Sequence, residues 1–288
     1  MKLAFAGLGI MGGPMAGHLV RAGHAVTGFN RTYAKAEAWA AANNGTAAAS
    51  IAEAVKDADA LLLCVGRDAD VFDTVSAALP HLKPGALIID HTTISAKLTR
   101  ELAALSHEKG FDFYDAPVSG GQAGAVNGQL AIMVGGEARR FAEVADIVKP
   151  YTKSITHLGA AGAGQTAKMA NQIAIAGVVQ GVAEALHFTK CAGLDPALVL
   201  AAISGGAAGS WQMNNRWPTM SEDTYDFGFA VDWMRKDLGI ALDEARDNGA
   251  HLALTALVDQ FYSEVQAMGG SRWDTSSLHA RLEARRKS

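Results

Sequence analysis

Residues 3–12 read L-A-F-A-G-L-G-I-M-G, and this stretch decides how the first half of the chain folds. Four apolar residues, typical of a short buried strand, lead into glycines spaced G-x-G-x-x-G, and residues 14–22 continue with helical spacing. A strand, a glycine turn and a helix start favour a loop whose backbone N–H groups receive a pyrophosphate. The candidate contacts for a dinucleotide in this loop are Gly7, Gly9, Ile10, Met11 and Gly12.

The end of the next predicted strand, residues 25–29, indicates which dinucleotide binds. A site that prefers NAD usually has Asp or Glu there to bind the ribose 2′-hydroxyl, but this chain has Asn30, Arg31 and Thr32. Arg31 can pair with a 2′-phosphate, and Asn30 and Thr32 can donate hydrogen bonds to it. We therefore predict a preference for NADP(H), with NAD(H) also possible. The alternative is an exposed polar turn that binds nothing.

Two further apolar runs, residues 59–65 and 86–90, are typical of strands buried on both faces, and residues 69–79 between them have helical spacing. Ligands of such parallel sheets lie beyond the carboxyl ends of the strands. The cofactor contacts nominated by this rule are Cys64, Val65, Gly66, His91, Thr92 and Thr93. His91 is either catalytic or, because no carboxylate partner is evident, structural.

A turn ending in Ser-Gly-Gly follows another predicted strand within residues 111–121. A serine hydroxyl and the exposed N–H groups of successive glycines can form a concave anion-binding site. A substrate carboxylate fits such a site, so Ser119, Gly120 and Gly121 are candidate substrate-binding residues. The alternative is a plain Pro/Gly loop.

Residues 159–171 read G-A-A-G-A-G-Q-T-A-K-M-A-N, which indicates a glycine-rich loop leading into a long helix. Lys168 and Asn171 are three residues apart, so an ammonium group and a carboxamide project from one face of this helix, about one turn apart. These groups supply a proton donor and a hydrogen-bonding partner for a substrate. An ordinary solvated lysine is the alternative.

The strand pattern ends at this glycine-rich loop. Before it, strands are predicted at 130–134 and 154–157, with a helix at 137–148. After it, helices are predicted at 165–191, 196–203, 231–247 and 253–268. We therefore predict two domains, residues 1–162 and 163–288. Aromatic residues between 210 and 233 either wall a substrate pocket or form core and subunit interface.

Composition excludes several classes of protein. The 288 residues are 49% hydrophobic, enough for a sizeable core, and a net charge of −4 leaves no basic surplus for nucleic acid. No apolar run approaches the roughly 20 residues that span a membrane. The two cysteines, Cys64 and Cys191, match no metal-ligand spacing, which favours a reduced, cytoplasmic protein without a metal site.

Taken in order, four motifs resemble those of the β-hydroxyacid dehydrogenase family: Gly7 to Gly12, Asp115 to Gly121, Gly159 to Asn171, and Lys236 to Leu238. The resemblance covers essentially the whole chain. It implies an α/β protein with an N-terminal doubly wound Rossmann domain, a long interdomain helix and an all-α C-terminal domain. It further implies that the C-terminal domain builds the active-site cleft with a partner subunit, in a homodimer or homotetramer.

The resemblance also implies roles for individual residues. Lys168 is the catalytic acid and base, Asn171 joins the Ser-Gly-Gly turn in holding the substrate, and Thr93 and Lys236 approach the nicotinamide. For Lys236 the alternative is a surface pair with Asp237. His18 stands where the family often has Asn, a departure expected to affect packing only.

The activity implied is hydride transfer between a nicotinamide cofactor and a small, carboxylate-bearing 3-oxo acid, with the 3-hydroxy acid as the reverse substrate. Asn30, Arg31 and Thr32 resemble the members that use NADP(H). Two alternative enzymes are an NAD-dependent 3-hydroxyisobutyrate dehydrogenase and a reductase of short aldehydes such as succinic semialdehyde or glyoxylate. A nucleotide-binding module without turnover is an alternative from a different class, but such a module has no need of the proton donor Lys168.

Overall fold

A computed structural model describes residues 1–287, the side chain of Lys287 excepted. The chain divides into two compact units, one of Met1–Lys168 and one that begins at Met169. The strands of the first unit, within the described residues, are β1 (Lys2–Ala6), β2 (Ala25–Phe29), β3 (Thr46–Ala48), β4 (Ala60–Leu63), β5 (Leu87–Asp90), β6 (Asp112–Asp115), β7 (Val118–Ser119), β8 (Leu130–Gly135) and β9 (Thr152–Gly159).

Helices connect these strands. They are α1 (Gly12–Arg21), α2 (Tyr33–Asn43), α3 (Ile51–Val55), α4 (Asp68–Ala78), α5 (Ala96–Glu108), α6 (Gly121–Asn127) and α7 (Phe141–Val148). Short 3₁₀ turns are placed at Leu79–His81, Ala138–Arg140 and Lys149–Tyr151. The alternation of strand and helix follows the predicted pattern.

The strands form one sheet in the order β3-β2-β1-β4-β5-β6-β8-β7, with β9 beside β8. Neighbouring strands from β3 to β6 are parallel, whereas β8 runs antiparallel to β6 and β7. This arrangement confirms the predicted doubly wound Rossmann fold. The strand order reverses between β1 and β4, and the crevice outside the carboxyl ends of these strands is where such folds bind ligands.

Residues that alternate along a strand pack on opposite faces of this sheet. On β1, Leu3 and Phe5 belong to one buried cluster, and Ala4 and Ala6 belong to another. Each cluster includes residues from the covering helices. Because both faces are buried, the central strands are almost continuously apolar, which is what made them visible in the sequence.

The second unit is helical. Its elements are α8 (Ala163–Cys191), which begins in the first unit, α9 (Pro196–Ile203), α10 (Trp211–Ser221), α11 (Val231–Asn248), α12 (Ala253–Ala267), a 3₁₀ turn at Thr275–Ser277 and α13 (Leu278–Lys287). A separate core includes Trp217, Leu238 and Tyr262. The sequence places the domain boundary between 162 and 163, where α8 begins, whereas the compact units divide after Lys168, inside that helix.

Two helices of the second unit are absent from the prediction. The first, α10, contains Pro218, which argues against a helix when the sequence alone is considered. The second, α13, reads L-H-A-R-L-E-A-R-R-K and has little apolar periodicity. In α10, Ser210 caps the helix and Met213, Trp217 and Met220 are buried at helical spacing, whereas α13 depends on packing rather than on apolar periodicity.

Candidate active site

The glycine loop between β1 and α1 has room for a ligand at one glycine and none at two others. A Cβ on Gly7 would lie 2.1 Å from the carbonyl oxygen of Cys64, and a Cβ on Gly12 would lie 1.9 Å from that of Gly7. Around a Cβ on Gly9, no surrounding heavy atom of residues 1–287 lies within 4 Å. The N-cap of α1, Met11, makes no side-chain hydrogen bond to the helix. The loop therefore fits a pyrophosphate that approaches the backbone at Gly9 and receives N–H groups of α1.

The residues after β2 differ in what they do. Asn30 Oδ1 accepts a hydrogen bond from the Leu8 N–H at 3.2 Å, and Asn30 Nδ2 donates to the Thr32 carbonyl at 3.2 Å. Asn30 therefore ties the end of β2 to the glycine loop. The Arg31 side chain is 90% exposed and pairs with Asp70 of α4, Nη1 to Oδ1 at 3.2 Å. An exposed cation thus lies beside Thr32, the N-cap of α2.

Side chains tie together the loops after β4 and β5. The Val65 N–H donates to Thr92 Oγ1 at 3.0 Å, and the Thr92 N–H donates to Asp90 Oδ1 at 2.9 Å. The predicted cofactor contacts Cys64, Val65 and Thr93 therefore belong to two loops that are joined to each other at the carboxyl edge of the sheet.

His91 is a structural residue. It is 2% exposed, its Nδ1 donates to the Ala116 carbonyl at 2.7 Å, and its Nε2 accepts from the Tyr151 hydroxyl at 2.8 Å. The carbonyl can only accept, so Nδ1 carries the proton. Burial lowers the pKa of His91 to about 4, and the ring is therefore neutral at pH 7. Both ring nitrogens are used to join the ends of β5 and β6 to Tyr151.

The turn between β7 and α6 presents two glycines in left-handed conformations. Gly120 has a φ of 133° and Gly121 a φ of 61°, and both residues are exposed. Residues with a Cβ rarely adopt such angles. Ser119 lies in β7, a strand that the sequence did not predict, and is paired with Ala131 of β8. This pairing fixes the main chain of Ser119 beside the two glycines.

His18 does more than pack. Its Nε2 atom lies 3.1 Å from the Ala125 carbonyl oxygen and 3.0 Å from the Val126 carbonyl oxygen, at the end of α6. The expectation that this residue affects packing only is therefore corrected. His18 links α1, which follows the glycine loop, to α6, which follows the Ser-Gly-Gly turn.

A buried carboxylate anchors the start of α8. Asp115, at the end of β6, is fully buried and accepts hydrogen bonds from the N–H groups of Gly162 and Gln165, each at 2.8 Å. Burial raises the pKa of Asp115, and these backbone bonds oppose the rise. Lys168 lies one turn further along α8 and is 8% exposed, so it is not the solvated lysine of the alternative interpretation. Sequence reasoning missed the roles of Asp115 and Gln165 because their partners are distant in the chain.

A chain of hydrogen bonds links two other predicted site residues within the second unit. Asn171 Nδ2 donates to Gln172 Oε1 at 2.8 Å, and Gln172 Nε2 donates to Asp237 Oδ2 at 2.7 Å. Lys236 Nζ lies 3.2 Å from Asp237 Oδ1. Gln172 and Asp237 are each 2% exposed. The pair of Lys236 and Asp237 is therefore an interior one, and the alternative of a solvated surface pair is wrong.

Comparisons with known proteins identify the family. Residues 2–159 match the NAD binding domain of 6-phosphogluconate dehydrogenase, and residues 162–282 match the NAD-binding domain of NADP-dependent 3-hydroxyisobutyrate dehydrogenase. The 2-hydroxy-3-oxopropionate reductase of Escherichia coli is 37% identical, over 98% of this chain and 97% of that protein. The chain belongs to the β-hydroxyacid dehydrogenase family.

Two further similar proteins agree with this assignment. An uncharacterized oxidoreductase of Shewanella frigidimarina is 57% identical over 99% of both chains. The structure of 3-hydroxyisobutyrate dehydrogenase from Mycobacterium tuberculosis with L-serine superimposes with a TM-score of 0.89, at 34% identity and 98% coverage of both chains. This dehydrogenase is therefore an oxidoreductase that uses a nicotinamide cofactor, as predicted.

The aromatic residues of the dehydrogenase between 210 and 233 have separate places within the second unit. Trp217 and Tyr225 are core residues, 1% and 6% exposed. Trp211 is 59% exposed, and the guanidinium of Arg216 lies 4.9 Å from its ring centroid. Trp233 lies under the Lys236 ammonium group at 5.6 Å.

Across residues 1–287, no group of three or more His, Cys, Asp or Glu side chains could hold a metal ion. Within that same part of the chain, no helix has the length and apolar character needed to cross a membrane.

Proposed function

We propose that this dehydrogenase interconverts a small 3-hydroxy acid and the corresponding 3-oxo acid or semialdehyde, prefers NADP(H), and uses Lys168 as acid and base. The observation that carries the proposal is the position of Lys168. It lies near the start of α8, which Asp115 anchors to the carboxyl end of β6, at the sheet edge where ligands of this fold bind. Relatives named for 2-hydroxy-3-oxopropionate and 3-hydroxyisobutyrate support the substrate class.

In this proposal, the bound nicotinamide supplies or accepts the hydride. Lys168 donates a proton to the carbonyl oxygen as negative charge develops there, and it removes that proton in the reverse direction. Ser119, Gly120 and Gly121 bind the substrate carboxylate through a hydroxyl and two backbone N–H groups. Asn171, one turn beyond Lys168 on the same helix, binds the substrate hydroxyl.

The preference for NADP(H) depends on Arg31. Asn30 uses both ends of its amide in bonds to main chain, so we assign the 2′-phosphate chiefly to the exposed guanidinium of Arg31 and to Thr32. Gly7, Gly9, Ile10, Met11 and Gly12 are assigned to the pyrophosphate. The remaining cofactor contacts that we assign are Cys64, Val65, Thr93 and Lys236.

Turnover with a panel of substrates tests the proposal. NADPH and NADH are compared with succinic semialdehyde, glyoxylate, tartronate semialdehyde and methylmalonate semialdehyde, and the reverse reaction is measured with 3-hydroxyisobutyrate and serine. We expect NADPH-dependent reduction of a short semialdehyde to dominate. Lys168→Ala should lower kcat about 100-fold or more while NADPH binding stays nearly intact, because only the proton donor is lost. Lys153→Ala, which removes an exposed lysine, is the control.

Three results would contradict specific parts of the proposal. Loss of NADPH binding together with turnover in Lys168→Ala would identify the lysine as structural. Dominant NAD-linked oxidation of 3-hydroxyisobutyrate would overturn the cofactor preference and the role of Arg31. Absence of turnover across the whole panel would leave the 3-hydroxy acid assignment without support.

We also propose that the dehydrogenase self-associates as a homodimer or homotetramer and works in the cytoplasm, with no nucleic acid or membrane partner. Self-association is supported by large apolar side chains on the second unit, including Phe188 at 71% exposure and Leu198 at 70%. A reducing compartment is supported by the two cysteines, neither of which forms a disulfide within the described residues.

A further inference from the structure

Gln165 joins α8 to the loop after β5. Its side chain is fully buried, its Nε2 atom donates to the Thr92 carbonyl oxygen at 2.7 Å, and its Oε1 atom accepts from the Ile94 N–H at 3.2 Å. The amide is thus bonded to main chain on both sides of Thr93. It has one orientation, because exchanging its oxygen and nitrogen would set donor against donor and acceptor against acceptor.

The main chain of Gln165 is held separately. Its N–H donates to Asp115 Oδ2 at 2.8 Å, so one residue contacts both the end of β6 and the loop after β5. Lys168 follows three residues later, on the same side of α8 and roughly 4.5 Å along its axis. The side of α8 that binds the Thr92–Ile94 loop is therefore also the side that carries Lys168.

We propose that Gln165 is a positioning residue for the reaction. By binding the main chain on both sides of Thr93, it holds Lys168 and Thr93 at one separation and one orientation. The inference rests on the proposed role of Lys168 as acid and base. A displacement of about 1 Å at a reacting group can lower turnover about 100-fold, so the fixed spacing has a direct effect on rate.

Without the Gln165 amide, the distance between Lys168 and Thr93 would no longer be fixed. Without Gln165, the Thr92 carbonyl and the Ile94 N–H are left as buried main-chain groups that lack this partner, which is unfavourable. The loop can relieve this penalty by moving toward other partners. Any such movement displaces Thr93 relative to α8, whereas the glycine loop and Arg31, on other strands, keep their geometry.

The test replaces Gln165 with methionine, which has similar length and volume and lacks both hydrogen-bonding groups. Gln165→Met should lower kcat about 10- to 100-fold, because Lys168 is no longer held against the loop. The Kd of NADPH, from a fluorescence titration, should change by less than about threefold, because the contacts assigned to pyrophosphate and 2′-phosphate lie on other loops and only the contact assigned to the loop of Thr93 is disturbed. Thr166→Val is the matched control: the Thr166 hydroxyl donates to the Gly162 carbonyl at 2.9 Å, inside the first turn of α8.

A second variant keeps the test decisive if Gln165→Met fails to fold. Gln165→Glu retains an acceptor for the Ile94 N–H and, when ionised, lacks the donor for the Thr92 carbonyl, so its kcat should also fall by at least about 10-fold. The inference is overturned if a folded variant keeps the kcat of wild type, or of Thr166→Val, or if kcat and NADPH binding fall together.

Lys168→Ala separates this inference from the proposed function. If Lys168→Ala turns over like wild type, the acid and base role is wrong and the positioning role is lost with it. If Lys168→Ala is inactive and Gln165→Met is normal, the proposed function stands and only the positioning role of Gln165 is wrong.

Discussion

If Arg31 binds a cofactor 2′-phosphate as proposed, Asp70 competes with that phosphate for the guanidinium. The two side chains pair at 3.2 Å, with the Arg31 side chain 90% exposed and that of Asp70 33% exposed. A 2′-phosphate bound to Arg31 would lie near this carboxylate, and two unit charges about 4 Å apart interact by about 1 kcal/mol in water. We therefore expect Asp70→Asn to tighten NADPH binding up to about fivefold and to leave NADH binding unchanged.

The comparison is made by titrating each protein with NADPH and with NADH, at low and high salt. The effect should shrink as salt is added, because exposed charges are screened. Asp73→Asn, which removes an exposed carboxylate from the same helix, is the control. Weaker NADPH binding in Asp70→Asn would mean that Asp70 orients Arg31 for the phosphate instead of competing with it.

At the scale of single residues, the sequence predicted candidate site residues but not the hydrogen bonds that position them. Lys168 and Asn171 were selected from their spacing on one helix, a property that is local. Asp115 and Gln165 have partners about 50 to 70 residues away, as in the bonds Gln165 to Thr92 and Asp115 to Gly162. No local pattern reports such a contact, since an aspartate after a strand and a glutamine in a helix are ordinary choices.

At the scale of elements, α9 exposes apolar side chains that a partner protein could cover. It is an apolar helix, P-A-L-V-L-A-A-I, yet no residue of it is buried. Nearby in sequence, Phe188 of α8 and Leu194 are also exposed. Exposed apolar side chains, where they form a contiguous patch, mark interaction surfaces. A second copy of this chain is the proposed occupant.

Light scattering at micromolar concentration measures the mass of the protein in solution and so tests this self-association. We expect wild type to have two or four times the mass of one chain, and Leu198→Asp to shift the mass toward that of one chain, because a charge would be buried at the interface. Val126→Asp, at an exposed apolar residue of α6 in the first unit, should leave the mass unchanged. A monomeric wild type would rule out this surface as an interface under these conditions.

Elements were predicted where local pattern and final packing agree. The central strands and α8 carry long apolar or Ala-rich runs, and the sequence placed them within a few residues. The three-residue β3 and two-residue β7 are too short to give a period. In α13 the buried residues include His279, Arg281 and Glu283, polar side chains that a search for apolar periodicity passes over.

For the molecule as a whole, a buried histidine makes stability depend on pH. The folded protein lowers the pKa of His91 to about 4 by burial, whereas an unfolded chain has the ordinary value of 6.5. Between these values the unfolded state binds more protons, so the free energy of unfolding falls as the pH falls from 6.5 to 4. His279, whose pKa burial also lowers to about 4, adds to the same trend.

This trend is checked by thermal or urea unfolding at pH 7 and pH 5. For His91 alone we expect a loss of about 2 kcal/mol at pH 5. His91→Gln can donate to the Ala116 carbonyl and accept from Tyr151 without titrating, so its stability should fall less over this interval. Equal losses of unfolding free energy in wild type and in His91→Gln would show that His91 does not contribute to the pH dependence of stability.

The three glycines of the first loop should differ in how readily they are substituted in a related protein that is no longer under selection for catalysis. Side chains at Gly7 and Gly12 would collide with main-chain oxygens, so folding alone would preserve both glycines. Gly9 meets no such obstacle from residues 1–287, and only the approach of a nucleotide forbids a larger residue there. Gly9 should therefore be the first of the three glycines to be substituted. Among paralogues of this enzyme, a residue larger than glycine at the position of Gly9 would therefore indicate loss of dinucleotide binding, even where the other glycines of the motif are retained.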